Sequence, residues 1–398
     1  YMATKKVRAS TLITPANPRR DNERLALDQA KWVKFYRDNN IYINDLALRA
    51  KRSGTHGAIL LDKLTFASGE SLTYSKKGEL IPFDKLDDKI KKYVNSINKF
   101  DESLHEIITS LLRGYIFFGN AYTQVAESQG MVFFFKQDST KVRISKDTES
   151  FYLSSFWRDI KSSENWDNKQ FPVEQIDFFR SDLIRKKARL VHIKADTEES
   201  DYYGLPDHIG ALKWADIEYR IPTYNISKFD NGFMASGILS MFGDPPEGMT
   251  EQEYVGKIRD KFTGEDNEQK VVVELLDSPD QAAKWNEFSR DKDGEFQGLQ
   301  NLAVQNIVTA HRWDGTLLGI SSQASIKASD AAQQRTAFER IYNTVIKGYQ
   351  RPVLKVVNQL LKRMTMFKDI EVGISTSTPV SFFGDININK ILTVDEAR

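Results

Sequence analysis

The stretch Gly232 to Leu239 reads GFMASGIL and follows a long run from Leu205 to Asp230. In that run Leu205, Ile209, Leu212, Ile217, Ile221, Tyr224 and Phe229 recur at roughly helical spacing, which predicts a helix with one apolar stripe. Asn231 and Gly232 stop it, because both tolerate the left-handed conformation that helix C-termini need. Downstream, Ile238 to Phe242 and Val271 to Leu276 have strand composition. Thr250 to Phe262 between them reads as a helix opened by the capping box of Thr250 and Glu253. A βαβ-like unit of about 60 residues is small for an independent enzyme domain. It fits an insert between two helices, the second being Glu295 to Trp313 with Phe296, Leu299, Leu302, Ala303, Ile307 and Ala310 as its apolar stripe.

Upstream of the insert the chain changes character several times. Residues 1–27 read as an arm, in which Pro15, Pro18, Arg19, Arg20 and Arg24 sit among polar residues that cannot form a core alone. Lys31 to Arg49 alternates helix formers with aromatic residues, and Leu60 to Leu80 has the Gly and Ser content of short strands and turns. Asp84 to Phe118 is the first strongly helical region, with Asp84 as its N-cap after Pro82. Ile90, Tyr93, Ile97, Phe100, Leu104, Ile107, Ile108, Leu111 and Leu112 give it one buried face. From Ala121 to Ile193 the segments are β-rich, with strands at Val132 to Phe135, Phe151 to Leu153 and around Val191. The acidic stretch Thr197 to Asp201 marks a boundary.

Downstream, Asp314 to Asp330 is a polar loop of glycines, serines and threonines. A long helix follows to Arg363, with Pro352 expected to kink it, and strands at Ile370 to Ile374 and Val380 to Phe383 close the chain. The pattern is α+β, and there is no internal repeat.

Composition narrows the function classes. The 398 residues are 40% hydrophobic, enough for a large core or two smaller ones. With zero cysteines there is no disulfide, thiolate nucleophile or thiolate metal site. No run approaches the roughly 20 apolar residues of a membrane span. The lack of an N-terminal apolar segment argues against secretion. A net charge of +1 exerts no global pull on nucleic acid. Charge is uneven, however: Gln333 to Arg363 carries seven basic residues (Arg335, Arg340, Lys347, Arg351, Lys355, Lys362, Arg363) against Glu339. Such a run is either a solvated helix face or a contact to DNA or an acidic partner.

Catalytic motifs are not found. The chain lacks G-x-x-x-x-G-K-[ST], the phosphate cradle that a motor ATPase needs. His56, His105, His192, His208 and His311 show no zincin-like spacing, so no metal site and no cofactor are expected. His192 reads as a core or interface histidine, and His105-Glu106 as a surface pair. Asp314 after His311 resembles a helix terminus more than an acid–base pair, lacking a nucleophile or oxyanion loop. Asp196, Glu198, Glu199 and Asp201 lack the glycine and terminal Glu of a calcium loop.

Six segments, in order, carry a resemblance. Phe118-Gly119-Asn120-Ala121-Tyr122 is similar to a "GNAY" element, Leu190 to Lys194 to a "hik" strand, and Tyr203 to Pro206 to a "yGlp" turn. GFMASGIL follows, then His311-Arg312 with Leu317-Leu318-Gly319-Ile320, similar to the outer parts of "HRvPp.L.GI", and Leu392 to Arg398, similar to "ltvnEaR". Over roughly residues 85 to 398 the chain resembles the portal proteins of tailed bacteriophages, the head–tail connectors. It departs from them at Pro222 inside the first helix and around Trp313-Asp314-Gly315, where the family carries a proline pair.

The resemblance implies a portal-like α+β architecture: an N-terminal arm at 1–27, an α/β wing at 28–204, a first stem helix at 205–232, a clip at 233–294 and a second stem helix at 295–313. A tunnel loop at 314–330 and a long helix with C-terminal wing or crown strands at 331–398 complete it. It further implies a homo-oligomeric ring, a dodecamer, at one vertex of the virion, assembled in the host cytoplasm. Double-stranded DNA would pass through it during packaging and ejection, and its partners would be terminase, a head–tail adaptor and the major capsid protein. Ser321, Ser322, Gln323, Ser325 and Lys327 would line the channel, and Leu302 and Ile307 would hold the stem of one subunit to the next. The rival readings are another phage head or adaptor protein, or a nucleic-acid enzyme.

Overall fold

The structure, a computed structural model, describes residues 32–33, 40–160, 169–179, 188–197, 202–230, 237–262, 271–276, 278, 295–319 and 331–376. In chain order its elements begin with β1 (Trp32–Val33), α1 (Tyr42–Arg52), α2 (Gly54–Ser68), β2 (Ser71–Lys76) and β3 (Glu79–Ile81). Next come α3 (Asp88–Asn95), α4 (Leu104–Phe118), β4 (Asn120–Ser128), β5 (Met131–Gln137), β6 (Val142–Ser145), β7 (Ser150–Leu153), β8 (Glu174–Asp177) and β9 (Arg189–Lys194). Then follow α5 (Leu212–Asp230), β10 (Gly237–Phe242), α6 (Glu251–Phe262), β11 (Val271–Leu276) and α7 (Glu295–Ala310). The last are α8 (Ala331–Ile341), α9 (Lys347–Leu361) and β12 (Ile370–Ser375). The class is α+β, and no described helix is long and apolar enough to cross a membrane.

The chain forms two compact units. The first takes Tyr1–Leu48, Leu60–Asp207 and Asp330–Arg398, and the second Arg49–Ile59 and His208–Ser329.

In the first unit three antiparallel sheets have the strand orders β12-β2-β3, β5-β4-β9 and β1-β6-β7-β8. Its core is built on α4, whose Leu104, Ile107, Ile108, Leu111, Leu112 and Ile116 are all buried, and on Val353, Val357, Leu360 and Leu361 of α9. A reciprocal capping box of Ser103 and Glu106 starts α4, and Gly119 at φ 68° ends it. Two of the buried cations, Lys63 and Arg143, are held differently. Lys63 bonds the Tyr349 hydroxyl at 2.8 Å and pairs with Asp207 at 3.4 Å. Arg143 donates to the side chain of Asn40 at 2.9 Å and to the carbonyls of Val142 at 2.8 Å and Thr140 at 3.1 Å, with the Trp157 ring 4.8 Å away. Burial lowers the Arg143 pKa to about 10, so the guanidinium stays charged at neutral pH; its described hydrogen-bond partners are neutral oxygens.

In the second unit β10 and β11 pair in parallel, Gly237 opposite Val271 through Phe242 opposite Leu276, with α6 between them in sequence. Thr250 and Glu253 form the expected capping box at the start of α6. Helices α5 and α7 pack along one another, flanking this insert as their periodicity predicts.

Several expectations are corrected. Asp84 to Phe118 is not one helix: a 3-10 turn at Phe83–Lys85 precedes α3, and the cap is Asp87, which accepts from the Lys89 amide. Phe100 lies in the turn between α3 and α4 and is 66% exposed rather than inward. Leu60 to Ser68 belongs to helix α2, because Leu60, Leu64 and Ala67 make a buried stripe that outweighs the local Gly and Ser content. The run from Leu205 becomes helical only at Ile209, and α-helical at Leu212; Pro206 disfavours helical geometry at Leu205, the residue before it. Helix α9 continues through Pro352, and the departure from α geometry is the π-turn at Tyr342–Ile346. The expected strand Val380 to Phe383 and the tail Leu392 to Arg398 lie outside the described residues.

Candidate functional site

Helices α5 and α7 have more apolar positions than one face can hide. Leu212, Ala215, Ile221, Ala303 and Ile307 are buried within the second unit. Tyr219, Tyr224, Ile226, Leu299 and Leu302 remain exposed, at 36% to 58%. Leu299 and Leu302 are three residues apart, and Tyr219 and Ile226 seven, so each pair shares a helix face. Tyr224 stacks on Phe296 across the pair of helices, ring centroids 5.2 Å apart. The two stem residues named from sequence therefore sit differently: Leu302 is 47% exposed and Ile307 fully buried. Covering the exposed half of such side chains is worth about 1 kcal/mol each, which gives this face a reason to meet another surface.

The channel residues Ser321, Ser322, Gln323, Ser325 and Lys327 lie outside the described residues, as do Glu198, Glu199 and Asp201. The described start of that loop is a 3-10 turn, Gly315–Leu318, capped by the Asp314 carboxylate, which accepts from the Thr316 amide at 3.0 Å. Asp314 thus acts at a helix terminus. In the basic run after the loop, Arg340, Arg351, Lys355, Lys362 and Arg363 are exposed, and two of them pair within the unit: Lys362 with Glu371 at 2.7 Å and Arg363 with Glu127. Much of its charge is therefore a solvated or neutralised face.

Three histidines that show no motif in sequence meet in space. His56 opens α2, His208 precedes α5 and His311 follows α7; all three are buried in the second unit. His56 Nδ1 lies 2.8 Å from His311 Nε2, and the His208 and His311 rings stack at 5.3 Å with an angle of 14°. One ring nitrogen from each lies within 4.8 Å of the others. Sequence spacing misses the cluster because its members come from three distant segments; the only local signal is their position at helix ends.

In the first unit Asn120 joins three of the segments that carry the sequence resemblance. Its Nδ2 donates to the carbonyls of Phe118 at 2.9 Å and Gly204 at 2.7 Å. Its Oδ1 accepts from the Gly204 amide at 2.9 Å and contacts His192 Nε2 at 3.0 Å. Because Oδ1 already accepts from an amide, the His192 tautomer is the one with its proton on Nε2. His192 stacks on Tyr122 at 4.5 Å, and burial, aided by Lys194, pulls its pKa down to about 3, so the ring is neutral. A Cβ on Gly204 would stand 2.3 Å from the Gly119 carbonyl oxygen and 2.5 Å from the Ala195 nitrogen, which is why this turn uses glycine. His192 is a structural histidine, as expected.

No family model matches the chain. An uncharacterized protein of Rickettsia bellii (strain RML369-C) is 29% identical over 147 residues, which are 36% of this chain and 37% of that protein's length. Among solved structures, a chain from the neck of an empty gene transfer agent particle, computed with C6 symmetry, superposes with a TM-score of 0.56 over 89% of both chains at 13% identity. A chain from the virion of a native gene transfer agent particle gives 0.51 at 12% identity, covering 93% of this chain and 91% of that one. The neck of a native particle, computed with C12 symmetry, gives 0.50 at 16% identity over 89% of both. At such identities the likeness establishes the fold. The chain thus shares the fold of these chains from gene transfer agent particles.

Proposed function

We propose that this chain is the subunit of a portal ring: a homo-oligomer at one capsid vertex that conducts double-stranded DNA and docks terminase and a head–tail adaptor. The observation that carries it is the pair of helices α5 and α7, which flank a βαβ insert and leave Tyr219, Tyr224, Ile226, Leu299 and Leu302 exposed. Together with a connector-like fold over 89% of the chain, that face supports lateral packing of copies around an axis. In this reading α5 and α7 are the stem, 233–294 the clip, 314–330 the tunnel loop, and 28–204 with the strands after α9 the wing. Ser321, Ser322, Gln323, Ser325 and Lys327 would face the bore. A channel in which DNA slides should not grip bases, since each bidentate contact adds about 1 to 3 kcal/mol of discrimination. Serines and one lysine per subunit offer interchangeable contacts, and a ring multiplies that lysine into a band of positive charge.

Negative-stain imaging and light scattering of the purified chain test the proposal. Rings with a central hole, twelvefold or similar, are expected, with subunit contacts above about 1,000 Å². Leu302→Asp, on the exposed face, should give folded protein that no longer forms rings, whereas Ile307→Asp, inside the unit, should unfold it. Wild-type protein that stays monomeric at every concentration, or Leu302→Asp rings of normal size, would remove the stem assignment.

A further inference from the structure

We infer that His56, His208 and His311 form a binding site for one divalent transition metal ion of the zinc and cobalt class. Three imidazoles from segments far apart in the chain converge in the buried interior of one unit, with a nitrogen from each within 4.8 Å of the others. The arrangement differs from that of the half-buried His192, whose ring is met by the Asn120 amide and the Tyr122 ring. In the cluster, the three imidazoles meet one another, at centroid separations of 4.9 to 5.3 Å.

The donor set selects the ion. A cluster of three imidazoles, with no carboxylate in it among the described residues, suits zinc, cobalt, nickel or copper and not calcium or magnesium, which need hard oxygen ligands. Imidazole nitrogens bound tetrahedrally at about 2.0 to 2.1 Å stand about 3.3 Å apart. His56 Nδ1 and His311 Nε2, at 2.8 Å, would open by about half an ångström as the metal replaces the proton between them. The widest pair, within 4.8 Å, would close by about 1.5 Å, within the reach of side-chain rotation. Water would take the fourth position. The ion would tie the start of α2, the turn before α5 and the end of α7 into one knot at the base of the two long helices.

The inference does not rest on the portal reading, because metal content is measured equally well on monomers or rings. The untagged full chain, stripped with EDTA and dialysed against Zn²⁺ or Co²⁺, should retain about one equivalent per chain. The Co²⁺ form should show the intense visible bands of a four-coordinate ion, and X-ray absorption at the zinc edge should show imidazole ligands. Zinc should raise the melting temperature of wild type, and EDTA should lower it. His208→Asn and His311→Asn should each lose the bound ion and the zinc-dependent shift, while His105→Gln keeps both. If a histidine variant does not fold, the absorption spectrum of the wild-type metal form still decides. Less than a tenth of an equivalent bound, an all-oxygen ligand shell, or an unchanged Co²⁺ spectrum in a folded His311→Asn chain would overturn the site.

Discussion

Asn120→Ala and Asn120→Asp test whether the turn between α4 and β4 is held by this amide. Asn120 is fully buried and makes four hydrogen bonds of 2.7 to 3.0 Å, to Phe118, to both polar backbone groups of Gly204 and to His192. Each is worth about 0.5 to 1.5 kcal/mol net, and a buried group left without its partner costs about 1 to 3 kcal/mol. A water entering the small space left by Ala would recover part of this. We expect Asn120→Ala to cost about 3 to 4 kcal/mol. Asn120→Asp is nearly isosteric, yet it turns two donors into an oxygen facing the carbonyls of Phe118 and Gly204. It should cost at least as much as Ala. Urea unfolding gives the total, but a chain of two units need not unfold in one step. Hydrogen exchange of peptides covering 116–126 and 189–206 therefore localises the effect, which should be accelerated exchange there and little change in α5 or α7. If Asn120→Asp lies within 1 kcal/mol of wild type, the amide fills space only and the argument from its donors is wrong.

Other outcomes follow from the same geometry. The His192 pKa lies near 3 in the folded chain against about 6.5 unfolded, so the unfolded state binds the extra proton between these values and stability falls as pH drops through that window. His192→Gln keeps a donor for Asn120, and melting curves between pH 4 and pH 7.5 should show it losing less stability on acidification than wild type; parallel curves would rule out the buried neutral ring as a source. Gly204→Ala should cost about 3 kcal/mol or more, since backbone atoms 2.3 and 2.5 Å from the new Cβ cannot yield, whereas Gly130→Ala, at φ 74° with open space, should cost about 1 kcal/mol by chemical denaturation. Under the portal reading, Lys327→Glu should spare ring assembly and reduce DNA packaging or retention. Screening over about 8 Å at physiological salt should make that defect shrink as salt rises, and a salt-independent defect would count against a bore-facing lysine.

What the sequence could reveal depended on the distance over which each signal acts. The insert was readable because β10, α6 and β11 each carry their own mark: strand composition at both ends and a Thr250–Glu253 box between them, which the structure reproduces bond for bond. Helix α2 carried a mark too, the buried spacing of Leu60, Leu64 and Ala67, but Gly and Ser nearby pointed the other way, and burial prevailed. Leu302 and Ile307 show where local reading stops. Both are apolar on one helix, and only packing against α5 shows that Ala303 and Ile307 form the inner stripe and Leu299 and Leu302 the outer one. The histidine cluster carried no mark, since His56, His208 and His311 are brought together by chain paths that no spacing rule follows. The resembling words are an intermediate case. GNAY, "hik" and "yGlp" looked like three separate spellings, and in the fold they supply Asn120, its histidine and the glycine its amide clasps on both sides. A short motif built around a buried polar group records one partner of a hydrogen-bonded set. Its physical content becomes visible only when the other partners, here more than seventy residues away, are placed beside it.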